Sequence, residues 1–312
     1  MLTRACFAVL VILVATGCPA DRTGERTLRG SAMPVPPAMR GLAPPALAVI
    51  GELRAPESVL HDAQQDVYFI SNINGSLLTI DNNGFISRVN PSTMQVELKW
   101  IEGGKRGVTL DAPKGMAVIG ETLYVSDVRA VRAFDRRTGE PRGEIALPGA
   151  ALINDITTDG RSLYVSDTGL LTGPGQSFYR TGSDTIWKIT DGRPEKLAST
   201  TALQHPNGLD WVEGKLRFVT FGPNELYELS GGKQKRIGTL PYGQLDGLVH
   251  LADGTPVVSS WLGDGIYRRS GDGFIPILTG IDAPADIGYD AKRRRLLVPR
   301  SGTNQVTIHS LP

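Results

Sequence analysis

Cysteine is almost missing from this chain. Cys6 and Cys18 are the two it has, both within the first 18 residues. Everything after them holds no disulfide, thiolate ligand or cysteine nucleophile, so its core alone must hold it together. Surplus charge is missing too: 33 Lys and Arg stand against 32 Asp and Glu, a formal net charge of +1. That balance argues against nucleic acid or a strongly acidic partner. Histidine is scarce, and His61, His250 and His309 stand in no pattern that suggests a catalytic dyad. No Gly-x-Ser-x-Gly elbow occurs, so a Ser-His-Asp hydrolase has no support. Sustained helical periodicity is lacking, which leaves short strands as the dominant element. No apolar run is long either: Phe7–Ala15 is too short to cross a bilayer as a helix.

What is there begins with that run. Arg4 precedes it and Ala15-Thr16-Gly17-Cys18 closes it. The length and flanks are those of a signal peptide over residues 1–17. Small residues directly before a cysteine resemble the lipobox of bacterial lipoproteins, in which Cys18 becomes the lipidated N-terminus. Ala15 stands where Leu is more usual, and an ordinary signal peptide with a chance cysteine is the alternative. Residues 18–45 are rich in Pro, Arg and Gly without an apolar period, the composition of a disordered tether. Such a segment lets a domain stand roughly 30 Å off a membrane. The expectation is export to the cell envelope or periplasm, membrane contact only through the anchor, and one monomeric domain over residues 46–312.

That domain repeats itself. Six copies of one signature occur: Ala55-Pro-Glu57-Ser-Val59, Ala112-Pro-Lys114-Gly-Met116, Leu152-Ile-Asn154-Asp-Ile156, His205-Pro-Asn207-Gly-Leu209, Gln244-Leu-Asp246-Gly-Leu248 and Ala283-Pro-Ala285-Asp-Ile287. After a turn, each is followed by a second β-rich run such as Tyr68-Phe-Ile-Ser71 or Leu163-Tyr-Val-Ser166. The central residues of the copies are 57, 40, 53, 39 and 39 residues apart. A unit of about 40 residues built from short strands is the size of one four-stranded propeller blade. The fold class expected is therefore all-β, a six-bladed β-propeller of four-stranded blades. Ala46–Leu53 precedes the first copy, and the last unit lacks a strand, so the N-terminal run is expected to pair there and close the ring. The two long units carry insertions, one near Asp81–Gly84 and one over Gly169–Gly182.

Equivalent positions in a propeller lie at equal radius. If the central residue of each signature faces the axis, Glu57, Asn154, Asn207 and Asp246 converge with Lys114 and Ala285. Two carboxylates and two carboxamides are oxygen ligands for a hard dication, and Ca²⁺ tolerates irregular geometry better than Mg²⁺. No His or Cys joins the set, which argues against zinc. Taken singly, each residue is an ordinary turn residue; the shared register makes chance a poor explanation.

The order Glu57, Asn154, Asn207, Asp246 resembles the senescence-marker-protein/gluconolactonase/luciferin-regenerating-enzyme family of six-bladed propellers. The most specific pieces are Asn154-Asp155, His205-Pro-Asn-Gly-Leu-Asp210 and Asp246-Gly-Leu248. The resemblance implies a divalent cation on Glu57, Asn154, Asn207 and Asp246, hydrolysis of a lactone or ester, and Asp246 as base or nucleophile. It also implies an Arg two residues before Asn154 in sugar lactonases; here that residue is Leu152. Lys114 departs as well. It would stabilise an oxyanion as a catalytic group, pair with Glu57, or bend into solvent. His205, Phe221, Trp261, Phe178 and Tyr179 are expected to line a substrate pocket. A small molecule is the expected substrate. The alternative is a non-catalytic binding propeller with a structural metal or none, since fold does not fix function. A quinone enzyme lacks the basic, His-rich axial set expected of one.

Overall fold

The computed structural model describes residues 45–172 and 177–311. The export segment, Cys18 and nearly all of the tether lie outside the described residues. No α-helix occurs among the described residues, and none is long and apolar enough to cross a membrane.

Six four-stranded antiparallel sheets follow one another along the chain. Blade one is Pro56–Asp62, Val67–Asn72, Phe85–Val89 and Val96–Glu102. The innermost strands of the next four blades are Met116–Ile119, Ile153–Thr158, Pro206–Val212 and Leu245–His250. Blade six contains Gly288–Asp290, Arg295–Arg300 and Gln305–Ser310, and its outermost strand is Ala48–Ile50. Ala48, Val49 and Ile50 pair with Ile308, Thr307 and Val306, so the ring closes as the sequence implies.

Burial grades outward across each blade. Second strands such as Val67–Asn72 and Ser162–Asp167 are buried at every residue, because neighbouring blades cover both faces. Outer strands such as Pro141–Ala146 are polar and largely exposed. The apolar core is divided accordingly into clusters wedged between successive blades. Phe69, Trp100, Met116, Leu123 and Phe134 join blades one and two, with Phe69 stacked on Trp100 at 4.9 Å. Tyr68, Val59, Leu297 and Ile308 join blades six and one. Fully burying a side chain such as Phe69 contributes about 2 kcal/mol, so each wedge is a substantial adhesive.

The insertion in blade three carries a two-stranded antiparallel pair. Leu170–Thr172 pairs with Phe178–Arg180. The insertion in blade one spans residues 73–84, between Asn72 and Phe85.

Candidate active site

Each candidate ligand sits where its inner strand departs from regular pairing. The ladder between first and second strands shifts register across Glu57-Ser58, Asn154-Asp155, Asn207-Gly208 and Asp246-Gly247. An irregularity of this kind re-aims side chains. Hydroxyls of the second strand take up peptide N–H groups at the shift. Ser71 Oγ accepts from Ser58 N at 2.9 Å, Ser166 Oγ from Asp155 N at 2.9 Å and Ser259 Oγ from Gly247 N at 2.7 Å. This is the role of the serine that recurs in the second runs of blades one, three and five; in blade two Ser126 Oγ instead donates to the Gly115 and Asn154 carbonyls.

The chain also kinks just upstream. Ala55, His205, Gln244 and Ala283 have φ of 46°, 66°, 51° and 41°, each two residues before the central residue of its signature. A left-handed backbone costs a non-glycine residue roughly 1 kcal/mol, and the same strain recurs in four blades. Side chains at the ends of second strands hold these approaches: Asn72 Oδ1 accepts from Arg54 N, and Asp167 Oδ1 from Leu152 N. The small residue after the central one is a packing requirement. A Cβ on Gly115 would fall 2.3 Å from Asp155 Oδ1, and one on Gly208 would fall 2.2 Å from the Asp246 carbonyl oxygen.

The result is two cavities, an upper mouth where the inner strands begin and a lower mouth where they end. At the upper mouth, Glu57, Asn154, Asn207, Asp246 and Ala285 line one cavity of about 150 Å³. Asp246 Oδ2 accepts from Trp261 Nε1 at 2.8 Å and Oδ1 from Asn207 Nδ2 at 3.1 Å. Asn154 Nδ2 donates to Thr168 Oγ1 at 3.3 Å. Two buried acceptors, Glu57 Oε2 and Asn207 Oδ1, have no donor. Burial pushes Asp246 up to about 7 against the bonds from Trp261 and Asn207. Burial, then the charge of Asp246, holds Glu57 well above the usual carboxylate range, with Lys114 opposing.

Orphaned oxygens beside a second carboxylate and a second carboxamide are a donor set that fits a hard divalent cation. Among the described residues no three His, Cys, Asp or Glu side chains form a metal-binding group. Half of this ring is carboxamide, so the fit rests on oxygen donors rather than on a cluster of acids.

Lys114 corrects one expectation. It is fully buried, so it does not bend into solvent, and it makes no ion pair within 4 Å of Glu57. Its Nζ donates to the Ala112 carbonyl at 2.9 Å, and it does not line the cavity. Burial lowers its pKa, while Asp127, Glu57 and Asp111 oppose the shift. An ammonium turned back on its own strand approach is not aimed at a substrate carbonyl, so the catalytic role expected of it has no geometric basis.

Among the expected pocket residues, Phe178, Phe221 and Trp261 line the cavity, with Phe221 edge-on to both others. Tyr179 does not: it is 48 % exposed, because neighbouring residues of a strand face opposite ways. His205 does not either. Its ring is buried with Nδ1 2.9 Å from the Thr168 carbonyl oxygen, which makes it a brace beneath the wall. Ile73, Leu77 and Leu170 are wall residues that sequence reasoning missed; their one signal was position within the two insertions.

The lower mouth, where the inner strands end, has a cavity of about 230 Å³ lined by Asp155, Asp286, Asp210, His61 and His250. Here the carboxylates are partnered. Asp155 Oδ1 accepts from Ile156 N at 2.7 Å and Oδ2 from Leu209 N at 2.6 Å, a bond between blades. Asp286 accepts from Ser58 Oγ, and Asp210 from His250 N. Burial pushes Asp155 up to about 7 against the two peptide bonds.

No protein-family model and no curated protein sequence matches the chain. Solved structures do. A candidate gluconolactonase matches with TM-score 0.59 and 17 % identity, over 88 % of this chain and 95 % of that one. A luciferin-regenerating enzyme matches with TM-score 0.59 and 14 % identity, over 84 % and 94 %. A virginiamycin B lyase from Staphylococcus aureus, in a catalytically inactive form with quinupristin, matches with TM-score 0.56 and 16 % identity, over 85 % and 99 %. The likeness is one of fold. It covers nearly the whole of each partner.

Proposed function

We propose that the chain is a metal-assisted hydrolase of lactones or esters, related to the senescence-marker-protein/gluconolactonase/luciferin-regenerating-enzyme propellers. The observation that carries this reading is the pair of buried, unpartnered acceptors, Glu57 Oε2 and Asn207 Oδ1, on one cavity with Asp246 and Asn154. A buried polar atom without a partner is costly and calls for an explanation. Glu57, Asn154, Asn207 and Asp246 would hold the cation, for which Ca²⁺ suits the donor set best. Bound there, a divalent cation supplies polarisation of an ester carbonyl and charge for the developing oxyanion. Asp246 takes the proton of the attacking water, or attacks directly. Trp261 Nε1 and Asn207 Nδ2 fix the plane of its carboxylate. The apolar walls exclude bulk water. Export and lipid anchoring through Cys18 belong to the same proposal and rest on residues 4–18, outside the described residues.

The test is metal titration. The chain is stripped with a chelator, and Ca²⁺, Mg²⁺, Mn²⁺ and Zn²⁺ are added while thermal unfolding is followed, for wild type and Asp246→Asn. A ligand of the native state at 100 times its Kd stabilises by about 2.7 kcal/mol. The expected outcome is a rise in Tm with Ca²⁺ for wild type, much reduced in Asp246→Asn, and a loss of ester hydrolysis on the order of 100-fold or more in that variant. If no cation moves the midpoint, the hydrolase reading fails and the chain is a binding propeller.

A further inference from the structure

Both long blades spend their extra residues on one place. The insertion of blade one brings Ile73 and Leu77 to the upper cavity, and the hairpin of blade three brings Leu170 and Phe178. Insertions in two blades that are not neighbours thus build one apolar collar above the ring. Leu152, Leu170 and Phe221 pack as a buried cluster, with Phe178 and Trp261 against it. Phe221 lies 5.5 Å from the Phe178 ring and 5.1 Å from that of Trp261.

The polar groups among the collar residues are already engaged, and the open acceptors Glu57 Oε2 and Asn207 Oδ1 belong to the candidate cation site. Trp261 Nε1 donates to Asp246, Thr168 Oγ1 accepts from Asn154 Nδ2, and Ser301 Oγ donates to the Pro56 carbonyl at 2.6 Å. A polyhydroxylated ligand would leave its hydroxyls without partners there, at the cost of the water bonds it gave up. An alkyl or aryl chain loses nothing on entry and gains burial at every carbon.

We infer that the group bound beside the reacting carbonyl is an unhydroxylated alkyl or aryl chain, since the collar that would meet it is built from apolar side chains. This rests on the hydrolase reading for the reacting end, and on the collar alone for the chain. Leu152 is then a specificity residue: it lines the same cavity as Asn154, which follows it by two residues, and packs with Leu170 and Phe221.

The experiment separates the two. Binding is measured by calorimetry with hydrolysis-resistant lactams: 5-hexyl-2-pyrrolidinone, 2-pyrrolidinone and gluconolactam. Turnover is measured with the corresponding γ-lactones and with glucono-δ-lactone. The hexyl lactam should bind on the order of tenfold or more tighter than the other two. Phe178→Ala, at a half-buried position, should erase most of that preference, and Leu152→Arg should reverse it. Binding of gluconolactam as tight as that of the hexyl lactam, or no preference for the hexyl chain, overturns the inference. The hexyl preference with no turnover of any lactone leaves the chain pocket standing and sinks the hydrolytic reading alone.

Discussion

The upper and lower cavities are made from successive residues of the same strands, yet Glu57 above and Asp155 below are treated in opposite ways. Asn154 faces up and Asp155 faces down; Glu57 and Ser58 divide likewise. Below, Asp155 is saturated by two peptide N–H groups and ties blade three to blade four. Above, Glu57 keeps an oxygen with no donor at all. A fold that satisfies one acid and leaves its neighbour open is separating fastening from chemistry. Burial alone does not tell them apart, since Glu57 and Asp155 are each 5 % exposed. Partner count does.

The widest effect expected from this contrast is on pH. Asp246 above and Asp155 below both stand at about 7 in the fold, against an ordinary value of 3.8. The folded protein therefore keeps protons that the unfolded chain has released. Metal-free stability should be full below about pH 4 and fall as pH rises to about 7, by up to about 1.4 kcal/mol per pH unit for each acid. Denaturant titrations at pH 4.5, 6 and 7.5 measure it. Added Ca²⁺ should recover the upper share and leave the lower one, and a flat profile would remove the contrast altogether. Next in size is Asp155→Ala, which strands the N–H groups of Ile156 and Leu209 in the interior and should cost about 3 kcal/mol in urea unfolding. A loss under 1 kcal/mol would mean that the lower acid is no fastener. Smallest is Glu57→Gln, expected to change metal-free stability by about 1 kcal/mol or less while removing the thermal response to Ca²⁺. Strong destabilisation of the metal-free protein by that variant would make Glu57 structural.

Much of this could be read from the chain itself, because a repeat carries three-dimensional information in one dimension. Register alone put Glu57, Asn154, Asn207 and Asp246 on one cavity, and the unpaired last unit located the closing strand. What register does not fix is where a long side chain goes. Lys114 shares the ring position, but four methylenes let its ammonium turn back to the Ala112 carbonyl. Phe178 and Tyr179 are equivalent as aromatic neighbours in sequence and opposite in space once the hairpin alternates them. His205 was conspicuous beside Asn207, yet its kinked backbone directs the ring to Thr168. The lower mouth went unread although its signal was present: Asp155 and Asp286 stand where Gly115, Gly208 and Gly247 stand in other blades. An acid where crowding otherwise demands glycine needs a partner in the next blade.

The strand Ala48–Ile50 has a kinetic consequence. Its partners, Val306 to Ile308, are made almost a whole chain later. Until they arrive, the outer strand of blade six has nothing to pair with and the ring stays open. Contacts this distant in sequence slow folding, since the loop must close before the pairing is rewarded. Closing the ring across this span is therefore expected to slow folding, and a chain that ends short of Val306 leaves that seam open.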